Sequence, residues 1–418
     1  MNGSRLMRRG PLWKFLRRNE FAMSDVKGPE SNEKPPAPTE VERKQRAVWL
    51  RRVRNIRYPL TLALLSMAIT LGFGFCTYLV IENKVPPEGW LGIWEQWDVN
   101  HYLDVAKFGY SGEDSGERRF MITFLPLYPF TICLTHVLIR NWHLAALVVS
   151  NVCCAGAFCY CFLLTQKEFG RQAAKAAVFY FSIFPTAYFL HVGYSESIFL
   201  FLTIGAFYYA RQARWLPCAL LGMLATSSRL SGLAIMLPLC FEYFQQKDFR
   251  WRQIRWDSAL LVLVPIGLIA YLYLNYYYFG DPLKFLQYQR EQFFRYFCSP
   301  LVALKDNWTW LADNPRVNDR VMLCGSELAA IILATAGLII AAFRLRPCYT
   351  IYLALSWVLI FCDSMTLCSS RYLITQFPLF MLMAQWRRRD WFNYSITFLF
   401  LLFYALYATQ FVRGEWAH

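Results

Sequence analysis

Carboxylates and arginines in or beside apolar runs, several of them with aromatic neighbours, are the residues in this sequence whose types and spacing suit group-transfer chemistry. The stretch WEQWDVNHYLDVAKFGYSG (94–112), read as a helix, puts Asp98 on one face with His101 and Tyr102 and points Asp104 elsewhere. A carboxylate among aromatic rings at a membrane surface is partly desolvated, which suits a general base. The alternative is an amphipathic surface helix anchored by Trp94 and Trp97, and composition alone leaves the two readings even. In FPTAYFLHVGYSESIFLF (184–201), Glu196 sits at the end of a strongly apolar run, where an ionisable side chain is a functional candidate unless it merely snorkels. In LATSSRLSGLAIMLP (224–238), Arg229 interrupts a second apolar run among serines. A guanidinium there can grip a phosphate through its planar fork, or pair structurally with a carboxylate such as Glu196 or Asp363. FGDPLKFLQYQREQFFRYF (279–297) opens on a turn and continues as an amphipathic stretch that could lie on the outer surface over a groove. CSSRYLITQFPLF (368–380) adds Arg371 and Tyr372 at another span end.

The body that must position these groups is a membrane. The chain has 418 residues, 56% hydrophobic, 18% aromatic and 17% charged, with a mean hydropathy of +0.27. Globular chains carry about 25% charged residues. The apolar excess lies in blocks of bilayer length, so the fold class is all-α and polytopic, which excludes a coiled coil or a nucleic-acid-binding domain as the main body. About eleven spans are expected, near 58–80, 142–165, 176–190, 195–210, 215–229, 232–246, 257–279, 326–343, 348–362, 372–386 and 391–412. Several fall short of the roughly 20 residues of a full crossing. The run TFLPLYPFTICLTHVLI (123–139), broken by Pro126 and Pro129, reads as partly inserted or surface-lying.

Residues 1–57 read as a basic, disordered cytoplasmic segment with a Pro-rich run at 29–40 and a second plausible start at Met23. Residues 58–412 read as the membrane body, with outer loops at 81–141 and 280–325, and 413–418 as a short tail. Seven Lys/Arg and no acid in residues 43–57 anchor the inner side, and short basic linkers recur at 166–175, 211–214, 247–255, 344–347 and 386–390. With this topology every chemically suggestive residue falls on the outer face. The net charge of +15 is then an orientation signal rather than a sign of nucleic acid. The thirteen cysteines are scattered, mostly in apolar spans, and read as small buried hydrophobes. Cys298, Cys324, Cys362 and Cys368 lie near the outer face, and the sequence leaves their pairing open. There is no phosphate-binding Gly loop, dinucleotide fingerprint or HExxH, and no metal or cofactor is expected.

In order, WDVNHYLDVAKFGY, FLPLYP, YSES with a downstream SRLSG, GDPLKFLQYQ and SSRYL followed by FP resemble the PIG-V family of membrane mannosyltransferases, over about residues 94–380. The resemblance implies a GT-C glycosyltransferase fold with a large first extracytoplasmic loop. It also implies a polyprenyl-phosphate sugar donor and an inverting, metal-independent transfer. By motif, it maps the family's WD aspartate onto Asp98, its glutamate onto Glu196 and its arginines onto Arg229 and Arg371. His101, Tyr102 and Tyr194 match motif positions, as do Asp281 and Gln287. His191 and Tyr372, in the same outer segments, join them as candidate substrate contacts. The compact loops are closer to the bacterial branch, so the expected setting is a bacterial inner membrane with the site facing the periplasm. In a eukaryotic host it would be the endoplasmic reticulum with a lumenal site, where Asn307-Trp308-Thr309 would be a glycosylation sequon. The expected partners are the lipid donor, a glycan or glycolipid acceptor and the bilayer. A lipid or lipid-linked-glycan flippase also accounts for the spans and buried charges, but needs access from both faces. A scaffold subunit is a third possibility.

Overall fold

The structure is a computed structural model that describes residues 40–86, 89–111, 118–317, 320–364 and 368–416. By its internal contacts the chain divides into Met1–Arg52 and Val53–His418. The described part of the first unit is helical from Glu40. Of the segment expected to be disordered, residues 1–39 lie outside the described residues. Residues 40–57 are helix rather than coil, contrary to expectation.

Among the described residues the secondary structure is helical apart from one isolated bridge, Phe297 to Asp363. In chain order the main helices are α1 (Glu40–Glu82), α2 (Asp98–Phe108), α3 (Leu127–Ile139), α4 (Trp142–Phe169), α5 (Arg171–Ser182), α6 (Glu196–Ala210), α7 (Trp215–Ser228), α8 (Met236–Gln246), α9 (Ile266–Phe279), α10 (Lys284–Phe293), α11 (Pro300–Asp313), α12 (Ser326–Arg344), α13 (Pro347–Phe361), α14 (Ser369–Leu373), α15 (Pro378–Met383) and α16 (Asp390–Val412). Five described segments are long and apolar enough to cross a bilayer: 56–82, 142–169, 256–279, 320–344 and 390–412. The shorter apolar helices include α3, α6, α7 and α13.

The all-α polytopic class expected from the sequence is the one observed. The expected span boundaries are less uniform. The run at 176–190 ends as helix at Ser182 and continues in a 3₁₀ turn, Ala187–Leu190. The run at 372–386 is not one span: α14 stops at Leu373 and α15 begins at Pro378, whose ring fits a first turn. The segment around Pro126 and Pro129 is a helix that those prolines start, since Pro126 is the N-cap of α3. At 13 residues α3 is about 20 Å long, short of the roughly 30 Å of a bilayer core. It folds back on α4 through Arg140 and Asn141, with His136 stacked on Trp142 at 3.6 Å. Its start reaches only Ser150, which Tyr128 meets at 2.8 Å. It therefore dips beside the first part of α4.

Polar ties define the two ends of the bundle. At one end Glu82 meets Arg413 at 3.1 Å, Trp94 stacks on Phe411, and Glu95 pairs with His143. At the other, Arg211 holds Glu168 at 2.6 Å and Glu242 at 2.7 Å, while Arg346 reaches Glu242 at 3.4 Å. These buried carboxylates bring α4, α6 and α8 onto one arginine, so none is an uncompensated charge. Midway, Thr70 and Tyr404 hydrogen-bond at 2.5 Å and pin α1 to α16.

Close backbone approach between α7 and α9 depends on Gly267, where a Cβ would overlap the carbonyl oxygen of Met223 and the hydroxyls of Thr226 and Ser227. Gly267→Ala is expected to destabilise the protein by at least the about 1–3 kcal/mol of an overpacked core. Gly72→Ala, with open space around it, is expected to be neutral. Thermal unfolding of the two purified variants checks this, and equal midpoints would show that α7 and α9 do not need the contact.

Candidate active site

Four of the ionisable residues singled out by sequence form one continuous ionic chain. Asp98 opens α2, Glu196 opens α6, Arg229 follows α7 and Arg371 lies in α14. Arg371 donates from Nη1 to Asp98 Oδ2 at 3.0 Å, and its Nε lies 3.3 Å from Glu196 Oε1. Arg229 donates from Nη1 to the same Glu196 oxygen at 2.8 Å and to Ser195 Oγ at 2.8 Å. Glu196 is fully buried and held by two guanidiniums, so the earlier choice for Arg229 between Glu196 and Asp363 falls to Glu196. Asp98 is 27% exposed on its side chain, and its second oxygen has no partner among the described residues.

Backbone strain brackets the Asp98–Arg371 pair. Trp97, just before Asp98, has φ +54°, and Cys368, just before α14, has φ +77°. Non-glycine residues held there cost about 1–3 kcal/mol, which the surrounding packing must offset. Such strain clusters at ligand and catalytic sites.

Aromatic rings wall the chain. The guanidinium of Arg371 lies 5.3 Å from the ring of Phe189, 5.2 Å from Tyr194 and 5.1 Å from Tyr372. Tyr194 donates to the Gln96 carbonyl at 3.1 Å, fixing the turn before α6 against the turn before α2. Tyr102 shares a 2.8 Å hydrogen bond with Ser195, so its hydroxyl reaches the oxygen that Arg229 also holds. Burial raises the Tyr102 hydroxyl's pKa, and Arg229 partly opposes that rise. Asp104 pairs with Arg118 at 2.7 Å, away from the cluster, as its place on the helix predicts.

Two residues at the cluster escaped the sequence reading. Arg295, in the segment after α10, donates to Asp363 at 2.6 Å and to the Tyr372 hydroxyl at 3.1 Å. Its guanidinium lies 5.6 Å from the Tyr372 ring and that of Arg229 5.2 Å, so three arginines converge on one tyrosine. Glu327, buried near the start of α12, accepts the Ser369 amide at 2.8 and 3.1 Å and caps the helix that carries Arg371. A lone acid at an apolar helix end, the signal that identified Glu196, would have found Glu327. For Arg295 the only signal was a cation among aromatics in FFRYF.

Four candidates lie apart from the chain. Asp281 is exposed and accepts the Leu283 amide at 2.9 Å, so it serves the turn. Gln287 is exposed and donates to Glu291 at 2.7 Å. It points outward because α10 turns Phe285 and Tyr288 onto Tyr271 and Ile122. The apolar face of α10 packs on Ile122, Leu125 and Tyr271, while Asp281 and Gln287 make local contacts apart from the ionic chain. His101 follows Asp98 on α2, but its ring packs against Phe120 and Phe124. Burial lowers its pKa while Asp98 and Asp104 raise it. His191 is buried against Asn151 at 2.8 Å, and burial lowers its pKa to about 3, so it is a neutral packing group.

Cys298, Cys362 and Cys368, whose pairing the sequence left open together with that of Cys324, form no disulfide with one another. Among the described residues no three His, Cys, Asp or Glu side chains converge as metal ligands.

GPI alpha-1,6-mannosyltransferase 2 from Cricetulus griseus is 29% identical over 233 residues, covering 51% of this chain and 42% of that protein. The Homo sapiens protein of the same name is 27% identical over 233 residues, covering 51% and 43%. The chain thus spans less than half the length of these curated relatives. Among solved structures, an Archaeoglobus fulgidus oligosaccharyltransferase gives a TM-score of 0.46 at 13% identity, over 85% of this chain and 53% of that one. ArnT from Cupriavidus metallidurans, bound to undecaprenyl phosphate, gives 0.41 at 13% identity over 84% and 77%. The family model described as Mannosyltransferase (PIG-V) matches residues 76–332, which takes in Asp98, Glu196, Arg229 and Arg295, and the chain belongs to that family.

Proposed function

We propose that this protein is an inverting membrane mannosyltransferase, or a transferase of a related hexose. In this reading a polyprenyl-phosphate sugar is the donor and a lipid-linked or surface glycan the acceptor, with Asp98 as general base. The observation that carries the reading is the unbroken chain Asp98–Arg371–Glu196–Arg229, because it couples a proton acceptor to phosphate-binding cations. The acceptor oxygen attacks the anomeric carbon and its proton passes to the unpartnered Asp98 oxygen. The bond from that carbon to the phosphate oxygen breaks at the opposite face. The donor's phosphodiester, with one negative charge, leaves as a phosphomonoester dianion. As Asp98 becomes neutral, Arg371 loses its carboxylate partner just as charge grows on the phosphate. The guanidinium then stabilises the leaving group at little reorganisation cost.

In this mechanism Glu196 orients Arg229 and Arg371 and does not take a proton, since both arginines hold it. Arg295 and the Tyr372 hydroxyl complete the phosphate contacts. The setting is an integral multi-pass membrane protein, with the site facing the periplasm of a bacterial inner membrane, or the endoplasmic reticulum lumen in a eukaryotic host. No cofactor is required by these steps.

The test is purified protein in lipid nanodiscs with polyprenyl-phosphate mannose labelled in the sugar. The expected result is release of polyprenyl phosphate that depends on added glycan acceptor. Label that crosses a vesicle bilayer without cleavage would instead make the protein a flippase, and neither result would leave only a scaffold.

A further inference from the structure

We propose a second site, for the phosphate headgroup of an acidic phospholipid, at the end of the bundle opposite the carboxylate–arginine chain. A cleft of about 470 Å³ lies there, lined by Tyr58, Gln172, Lys175, Arg387, Arg388 and Asn393 with the apolar walls of Ala176 and Phe179. That volume is within the ordinary range of small-ligand sites. The lining holds three cations and three neutral hydrogen-bonding side chains, and no carboxylate.

The cleft is built by distant parts of the chain. Tyr58 begins the span 56–82, Lys175 and Gln172 come from α5, and Asn393 lies in the first turn of α16. Tyr58 donates to the Lys175 carbonyl at 3.3 Å, and the Lys175 ammonium sits 5.5 Å from the Tyr58 ring. Tyr180 donates to Asn393 Oδ1 at 2.8 Å, which leaves the Asn393 amide nitrogen to donate elsewhere. Arg387 donates one nitrogen to the Ala384 carbonyl at 3.1 Å. No ion pair to a carboxylate involves Lys175, Arg387 or Arg388 among the described residues, in contrast to Arg211 and Arg346.

Charge and position together identify the ligand. Three cations with no carboxylate partner among the described residues suit an anion, and their forks and amides suit phosphate oxygens. The cleft lies where two membrane spans begin, and those spans present Leu64 and Phe398 to the exterior, 63% and 72% exposed. A headgroup in the cleft would leave its acyl chains beside apolar surface, which a free phosphate does not use. Basic pockets between helices near a membrane surface hold anionic headgroups by this combination. A zwitterionic lipid would bring its own cation into an already cationic cleft. The proposal does not depend on the transfer reaction, since no cleft residue belongs to the Asp98 chain.

The experiment uses the purified full chain in neutral detergent, offered phosphatidylglycerol, phosphatidylcholine or inorganic phosphate. Retained lipid is counted by native mass spectrometry and protection is followed by thermal unfolding. Phosphatidylglycerol is expected to be retained and to raise the unfolding midpoint, with both effects falling as salt is added. The triple variant Lys175→Gln, Arg387→Gln, Arg388→Gln is expected to bind it roughly a hundredfold more weakly. The charge-preserving Lys175→Arg, Arg387→Lys, Arg388→Lys is expected to retain it. Should the glutamine variant fail to fold, the salt titration of the unaltered protein decides. Salt-insensitive retention, equal retention of phosphatidylcholine, or unchanged binding by a folded glutamine variant would overturn the site. Protection by inorganic phosphate equal to that by the lipid would overturn the lipid as its occupant.

Discussion

Asp98→Asn retains the fold and lowers sugar transfer by about 10²–10⁴-fold, the usual contribution of a positioned general base. Asparagine keeps the shape of the side chain, and its carbonyl oxygen can still accept from Arg371, which in the native chain donates to Asp98 at 3.0 Å. The helix start and the approach of α14 to α2 are therefore preserved. Two functions are lost: the amide cannot take a proton, and it no longer carries the charge whose neutralisation frees Arg371. The variant should accordingly bind donor at least as well as the parent protein, because one negative charge beside the phosphate site is gone. Single-turnover transfer and donor binding, measured on the same preparation, separate these effects. Transfer near the parent rate would remove Asp98 as the base, whatever the binding.

Arg371→Gln is expected to be the more damaging change, lowering both stability and activity. Its guanidinium is 6% exposed and meets a carboxylate from α2 and another from α6, two elements with no other ionic tie to α14. Removing one partner of a buried pair costs about 3–5 kcal/mol because the other charge is left uncompensated. Glu196 would keep Arg229 at 2.8 Å, while Asp98 would lose the cation it holds. Arg371→Lys is the more informative variant. It restores a charge but not a planar fork, and one ammonium cannot serve both carboxylates in the same geometry. The lysine variant should recover much of the unfolding midpoint while transfer stays about 10²–10³-fold down, as for loss of one preorganised donor to developing charge. If lysine restored transfer along with stability, Arg371 would be a structural cation and the charge hand-off would be wrong.

How far the sequence led depends on the kind of signal. Glu196 and Arg229 stood out because a charge in an apolar run is costly and needs a reason, Asp98 as a carboxylate among aromatic rings, and Arg371 as an arginine at a span end. The same argument applied to Glu327 would have found the residue that caps α14. Asp281 and Gln287 entered through motif resemblance alone, and both lie on the exposed side of their elements. Arg295 carried only a weak signal, because its segment becomes part of the site through the short pairing of 296–298 with 362–364, as in Cys298 to Cys362 and Ser364 to Tyr296. The expected span at 372–386 failed because an apolar run does not reveal whether it continues as one helix. Here it breaks between Leu373 and Pro378.

The sequence by itself determined the membrane class, the family motifs and the short basic linkers, since each depends on composition or on residues adjacent in the chain. Which carboxylate meets which arginine was decided only by tertiary structure. Asp98 and Arg371 lie 273 positions apart, and their pairing follows from the packing of α2 and α14 against the turn before α6. The same is true of the basic cleft, whose walls come from Tyr58, Lys175 and Arg387. Local propensity specifies helices and their ends, whereas long-range charge pairing is selected by the requirement that no buried ion be left without a partner.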